Sequence, residues 1–149
     1  MDPRSNDSFA IRVARADDLP GLVALLNQST ATTLEAAATV FARIDGRDDF
    51  RICVAEAGTR LVGTYGLMAM DNLGHGGAPV GIVENVVVDA AWRRRGLGRL
   101  LMDDAVRRAR AAGCYKLVLA SNKALHEAHA FYASLGFTIQ GVAFSLDLA

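Results

Sequence analysis

One stretch constrains the chain most: from Gly81 to Ala112 a β-branched run passes through a basic, glycine-containing turn into a helical repeat. Ile82 to Val88 has the near-continuous apolar character of a strand covered on both faces, with one charged interruption, Glu84. From Leu97 the period changes. Leu97, Leu101, Ala105, Ala109 and Ala112 fall along one helical face, and Arg99, Asp103, Arg107 and Arg110 along the other. The turn reads Arg93-Arg94-Arg95-Gly96-Leu97-Gly98. Glycines there let the backbone approach a ligand closely, and a helix N-terminus presents unpaired N–H groups with a partial positive charge. Three arginines beside them make an anion site suited to phosphate or pyrophosphate.

Two common phosphate loops fit these residues poorly. A P-loop needs Lys and then Ser or Thr after its last glycine, whereas Gly98 is followed by Arg99 and Leu100. A dinucleotide fingerprint needs a third small residue at position 101, which is Leu, and an acidic residue near Leu117 to Ala120, where there is none. The stretch resembles instead the acyl-CoA loop of the GNAT acetyltransferase superfamily: Arg or Gln, two residues, Gly, one residue, then Gly or Ala. Arg93, Gly96 and Gly98 fill that pattern, and a Val-x-Val strand end, Val86 and Val88, precedes it. Further on, Ala128-His129-Ala130-Phe131-Tyr132-Ala133-Ser134-Leu135-Gly136-Phe137 resembles the superfamily's second signature, Ala-x-x-Phe/Leu-Tyr-x-x-x-Gly-Phe. The resemblance runs from about Ile11 to the last residue.

That resemblance implies an α/β (α+β) fold with a mixed, mainly antiparallel central sheet, about four flanking helices and a strand-loop-helix acyl-CoA site. It implies acetyl-CoA as co-substrate and transfer of its acetyl group to a primary amine of a small molecule or peptide. The N–H groups of Arg95, Gly96, Leu97, Gly98 and Arg99 would hold the pyrophosphate, with Arg93 and Arg94 assisting. The strand end at Val86, Val87 and Val88 would pair with the pantetheine arm. Many relatives place an Asn three residues before the second motif's Ala; here that position is Leu125, and Asn122 is the candidate replacement.

The reaction needs few groups. An amine is largely protonated at neutral pH, so a base or water chain must remove its proton, and the departing thiolate benefits from a donor. Glu84 is the candidate base, because a carboxyl on an interior strand is expected to feel desolvation; it reads equally as a structural or acceptor-orienting residue. Tyr132 is the candidate acid, standing where the superfamily's motif puts it, against the alternative of a core tyrosine packed with Phe131. His75 reads as a surface residue, and His126 and His129 as surface or CoA-edge residues, none of them a catalyst. The alternative from another class is an acyl-CoA sensor without turnover, which would not need both Glu84 and Tyr132.

Bulk properties fit this frame. With 149 residues, 52% hydrophobic and 21% charged, the chain reads as a flexible tail over residues 1–8 and a single domain over 9–149. A net charge of zero argues against nucleic acid or an anionic membrane as partner. Cys53 and Cys114 read as buried thiols, and no spacing suggests a metal site. With no signal-peptide or membrane-spanning pattern the expected location is the cytoplasm, and a homodimer is left open.

Along the chain, Phe9, Ile11 and Val13 read as a first strand, and Asp17 as the cap of a helix carrying Leu19, Leu22, Val23, Leu25 and Leu26. A second helix is expected from Thr33 to Ile44, and the polar linker 27–33 between the two is the first place to look for acceptor contacts. Phe50 to Glu56 and Leu61 to Met70 read as a hairpin, Tyr115 to Ala120 as a strand, and Ala124 to Leu135 as a helix stopped by Gly136. Phe137 to Ile139 and Val142 to Leu148 read as two closing strands.

Overall fold

The structure is a computed structural model that describes residues 8–149. All but the last residue of the expected N-terminal tail therefore lies outside the described residues. The elements follow in the order β1 (Ala10–Val13), α1 (Leu19–Leu26), α2 (Leu34–Ile44), β2 (Phe50–Ala57), β3 (Arg60–Met70), β4 (Val80–Val88), α3 (Leu97–Ala111), β5 (Lys116–Leu119) and α4 (His126–Ser134). The strands form a five-stranded sheet in the order β1-β2-β3-β4-β5, and the β1–β2, β2–β3 and β3–β4 pairings are antiparallel. The chain divides into two compact units, one reaching Val118 and the other spanning Leu119–Ala149.

Local chemistry sets the boundaries in the first unit. Thr33 caps α2, its Oγ1 accepting from the Ala36 N–H at 3.1 Å, and Gly46 follows the helix in the left-handed region at φ 77°. The β2–β3 hairpin turns at Gly58, also left-handed at φ 61°. Asp17 does not cap α1. It sits in a 3-10 turn, Ala16–Asp18, and the neighbouring Asp18 is drawn instead into a two-pronged ion pair with Arg12, at 2.6 and 2.7 Å. That pair holds the Asp18 carboxyl below the usual carboxylate range.

Two layers cover the sheet. On one face Leu22, Phe41, Val54 and Ala14 form a core with Leu19, Ile52 and Leu61, joining α1 and α2 to β2 and β3. On the other, α3 buries Leu97, Leu101, Met102, Ala105 and Ala109. The helix lies close because the sheet is cut away beneath it. A Cβ on Gly63 would come within 3.0 Å of Leu101 and 3.3 Å of Leu97, and one on Gly81 within 2.9 Å of Leu117 and 3.4 Å of Ala109. Gly63 thus serves the packing of α3 on the sheet.

In the second unit α4 ends at Gly136, left-handed at φ 92°, with the Phe137 N–H donating to the Tyr132 carbonyl at 3.1 Å. Beyond it the expectation of two closing strands is not met. Residues 137–149 contain no strand or helix, and Ile139, Val142, Phe144, Leu146 and Leu148 are exposed. Their alternating pattern is that of a strand, but a strand needs a partner to pair with, and this segment forms no ladder.

Candidate active site

The site begins with an irregularity in β4. Thr64 pairs with Val87 and Gly66 with Glu84, so on β4 two residues, Asn85 and Val86, stand opposite Tyr65 alone. This is a β-bulge: one residue is extra, the ladder is locally broken and its N–H groups are released from strand pairing. Asn85 absorbs the insertion in the left-handed region at φ 53°, which asparagine tolerates better than a β-branched residue. An Asn inside a run of valines was the available signal, and reading the run as an unbroken strand missed it.

The bulge also places Glu84. The register sets Glu84 opposite Gly66 and Val87 opposite Thr64, on the α1/α2 face of the sheet, whereas Val83 lies opposite Leu67 on the α3 face. Glu84 and Asn85 are both exposed, whereas a carboxyl on an interior strand is expected to be buried. The strand is interior to the sheet, yet Glu84 and Asn85 are exposed beside the break in its pairing. Glu84 is held at the rim of a gap in the ladder, reachable by a solute.

The turn expected to bind an anion joins β4 to α3. Asp89 starts it, buried, its N–H donating to the Val62 carbonyl at 2.8 Å and its Oδ1 accepting from the Ala91 N–H at 2.9 Å. Arg60 donates to Asp89 Oδ2 at 3.0 Å. After a 3-10 turn, Ala90–Trp92, the chain takes left-handed steps at Arg94, φ 61°, and Gly96, φ 79°, and Gly96 caps α3. Leu100 N–H donates to the Gly96 carbonyl at 3.2 Å, so the N–H groups of Leu97, Gly98 and Arg99 precede the helical bonding pattern. A turn of alternating handedness leading into three such donors is a concave site for an anion. A Cβ at Gly96 would meet nothing within 4 Å, so what glycine supplies there is its backbone freedom.

Side chains brace the turn. The Arg95 guanidinium lies 4.7 Å from the Trp92 ring centroid, and Trp92 meets Phe9 edge-on at 5.8 Å. Arg93, Arg94 and Arg99 are exposed beside it. Gln28, in the expected acceptor linker, reaches the same turn, its Oε1 accepting from the Ala90 N–H at 3.1 Å. Asn27 closes that linker by accepting from the Thr32 N–H at 2.8 Å. Glu84, Val86, Val87, Val88 and the turn from Arg93 to Arg99 thus belong to one continuous strand-turn-helix.

In the second unit Tyr132 is half-buried, its ring 5.2 Å from Phe131 and 5.8 Å from Phe137. Burial pushes its phenol up, which keeps it protonated and able to donate. Asn122 is exposed and engaged locally: its Oδ1 accepts from the Ala124 N–H, and its carbonyl faces His129 Nε2, each at 2.9 Å. His75 is exposed as expected, but it stacks on Tyr115 at 4.0 Å between centroids, which ties down the loop before β4.

One supporting group escaped the sequence reading. Asp104 is buried between α3 and the sheet, where Tyr65 donates to its Oδ2 at 2.6 Å and Arg108 Nε donates to the same oxygen at 2.8 Å. Arg107 donates to Oδ1. A charged residue on the apolar side of a helix has no periodicity that announces it.

The comparisons with known proteins agree with this geometry. The Acetyltransferase (GNAT) family matches residues 19–137. A rice protein named "Probable glucosamine 6-phosphate N-acetyltransferase 2" is 40% identical over 139 residues, which cover 88% of this chain and 82% of the rice protein. The Trypanosoma brucei glucosamine 6-phosphate N-acetyltransferase is 39% identical over 89 residues, covering 60% of this chain and 58% of its own. The crystal structure of the Arabidopsis thaliana glucosamine-6-phosphate N-acetyltransferase superposes with a TM-score of 0.86 at 28% identity, covering 95% of this chain and 99% of that one. Because the family match runs through the bulged strand, the arginine turn and the Tyr132 helix alike, the chain belongs to the GNAT family of acetyltransferases.

Proposed function

We propose that the acceptor of this N-acetyltransferase is glucosamine 6-phosphate or a closely similar amino sugar phosphate. The donor is acetyl-CoA and the acceptor an amine. The observation that carries the finer reading is 40% identity sustained over 82% of a rice protein named for that substrate. The sensor alternative is set aside, because the relatives are named for turnover.

In the proposed reaction the neutral amine attacks the thioester carbonyl, a C–N bond forms, the C–S bond breaks, and the amine's proton is lost as the thiolate gains one. Glu84, exposed beside the bulge on the α1/α2 face, takes the amine's proton directly or through water. Tyr132, whose phenol burial keeps protonated, donates to the departing sulfur. The N–H groups of residues 95–99 hold the pyrophosphate, with Arg93 and Arg94 adding charge. The strand end at Val86 to Val88 pairs with the pantetheine arm, starting from the break in the ladder at Val86, and Asn122 contributes through its amide nitrogen. Residues 9–149 act as one domain in this reading, which the family match across both units supports. Its place of action is the cytoplasm, in keeping with two free cysteines, Cys53 and Cys114.

The test is CoA release with glucosamine 6-phosphate, glucosamine, a polyamine, an aminoglycoside and a peptide amine. A site built around the phosphate should favour glucosamine 6-phosphate over glucosamine by at least about 100-fold in kcat/KM. Equal rates for the two sugars would overturn the assignment.

A further inference from the structure

Gln28 and Ala90 stand 62 positions apart in the chain, yet the Gln28 side chain holds the Ala90 N–H, its Oε1 accepting at 3.1 Å. Gln28 lies just past the end of α1, in the linker 27–33 that leads to α2. The linker is closed on itself by the Thr32 N–H, which donates to Asn27 Oδ1 at 2.8 Å, and its first turn continues α1 through bonds from the Ser29 and Thr30 N–H groups to the Leu26 carbonyl. Those bonds shape the linker from within. The Gln28 bond ties it to the turn that follows β4. Because α1 packs on β3 and β4, the linker leaves the helix on the face of the sheet where Glu84 is exposed.

The turn keeps its own form without that bond. The Asp89 N–H donates to the Val62 carbonyl, the Ala91 N–H to Asp89 Oδ1 and the Trp92 N–H to the Asp89 carbonyl, at 2.8, 2.9 and 2.8 Å. Arg60 holds the other Asp89 oxygen. Between them the Ala90 N–H is met from outside, by an exposed side chain of a distant loop. Ala90 is itself exposed, so water would satisfy its N–H equally well. What the side chain adds is a tie between two elements.

We propose that Gln28 is a positioning residue for the acceptor amine: acting through the Ala90 N–H, it fixes the linker 27–33 over the face that carries Glu84 and so sets the amine's affinity. The inference rests on the acetyltransferase reading above, with the linker on the acceptor side of the site. A linker cut loose from the turn has to be ordered anew each time the amine binds, and that ordering weakens affinity. Once the amine is bound the linker has the same geometry as before. The effect therefore falls on KM and leaves kcat in place. Acetyl-CoA is unaffected, because the turn retains the bonds made by Asp89 and Arg60.

The experiment compares the unsubstituted chain with Gln28→Met, which keeps the side chain's length without its oxygen, and Gln28→Glu, which keeps an oxygen at the same reach. Exchange of the Ala90 amide is followed by NMR, KM and kcat for glucosamine 6-phosphate by CoA release, and acetyl-CoA affinity by calorimetry. Position 28 is exposed, so all three chains should fold, which circular dichroism checks. In Gln28→Met the Ala90 amide should exchange at least about fivefold faster, and KM for the sugar should rise by roughly 3- to 10-fold, the weight of one net hydrogen bond. Its kcat and its acetyl-CoA affinity should stay within about twofold of the unsubstituted values. Gln28→Glu should restore both the protection and the KM. Across the three chains KM must follow the protection of Ala90, and either one moving without the other overturns the proposal. A fall in acetyl-CoA affinity alongside the rise in KM overturns it as well, by making Gln28 a brace of the turn. Should glucosamine 6-phosphate not be acetylated, the substrate assignment fails by itself, and the same comparison is made with the amine of the CoA-release panel that is.

Discussion

The Tyr65 hydroxyl donates to Asp104 Oδ2 at 2.6 Å, joining the strand opposite the bulge to the helix that follows the arginine turn. Burial works to raise the Asp104 carboxyl, but hydrogen bonds from Tyr65 and Arg108 outweigh it, and the group lies below the usual carboxylate range. The bond therefore fixes how far the bulge sits from the start of α3.

Tyr65→Phe is expected to destabilise the fold by about 1.5–3 kcal/mol, the worth of a hydrogen bond to a charged group. Because the Asp104 pKa is depressed in the folded state, its contribution is present above the unfolded value of about 4 and is lost as pH falls through the folded one. Urea unfolding between pH 7 and pH 3 should show that loss, and Asp104→Asn should remove it from the pH profile while lowering stability at neutral pH. An unchanged profile in Asp104→Asn would assign the acid sensitivity to other carboxylates, such as Asp18.

At the turn, Gly96→Ala forces a side chain into the left-handed region and should cost about 1–2 kcal/mol of stability. Gly98→Asp places a carboxylate among the donors meant for an anion, and should abolish the rise in melting temperature produced by acetyl-CoA. ATP and NAD should produce no comparable rise in the unsubstituted protein. Retained acetyl-CoA stabilisation in folded Gly98→Asp would locate the pyrophosphate elsewhere.

Glu84→Gln should fold, since the residue is exposed and the amide keeps its shape. With Glu84 as base or water relay, kcat/KM falls at least about tenfold and the acid limb of the pH–rate profile is displaced. A profile of unchanged shape and height would leave Glu84 outside proton transfer.

Tyr132→Phe removes one hydroxyl and keeps the ring contacts with Phe131 and Phe137. Stability should change by about 1 kcal/mol or less. Donation to the thiolate matters only as charge develops on sulfur, so kcat should drop by roughly 10- to 1,000-fold while calorimetry finds acetyl-CoA affinity near the unsubstituted value. Loss of affinity without loss of kcat would make the hydroxyl a cofactor contact.

Sequence and structure agree where the signal is periodic. The β2–β3 hairpin, α2 with its Thr33 cap and the apolar face of α3 all follow from alternation, 3.6-residue spacing and glycine stops, and the arginine turn from its glycines. What was not legible depends on partners far along the chain. Asp104 is paid for by Tyr65, a residue on another element, and nothing in the helix's own spacing reveals it. The segment with Val142 and Phe144 has a strand's pattern, yet pattern alone does not say which edge, if any, receives it. Asn85 is the intermediate case, because its conformational tolerance is local while the register that uses it is not.

The extra residue in β4 also sets a phase. In an uninterrupted strand Val83 and Val87 would point the same way, and Glu84 would share its side with Val88. The observed register instead puts Glu84 and Val87 on one side and Val83 and Val88 on the other. Deleting Asn85 would mend the ladder and keep this frame, because Glu84 and Val87 would then stand two positions apart, as same-side residues do in a regular strand, and only the gap itself would close. The extra residue therefore serves the opening in the ladder and leaves the two faces of the strand as a regular pairing would have them.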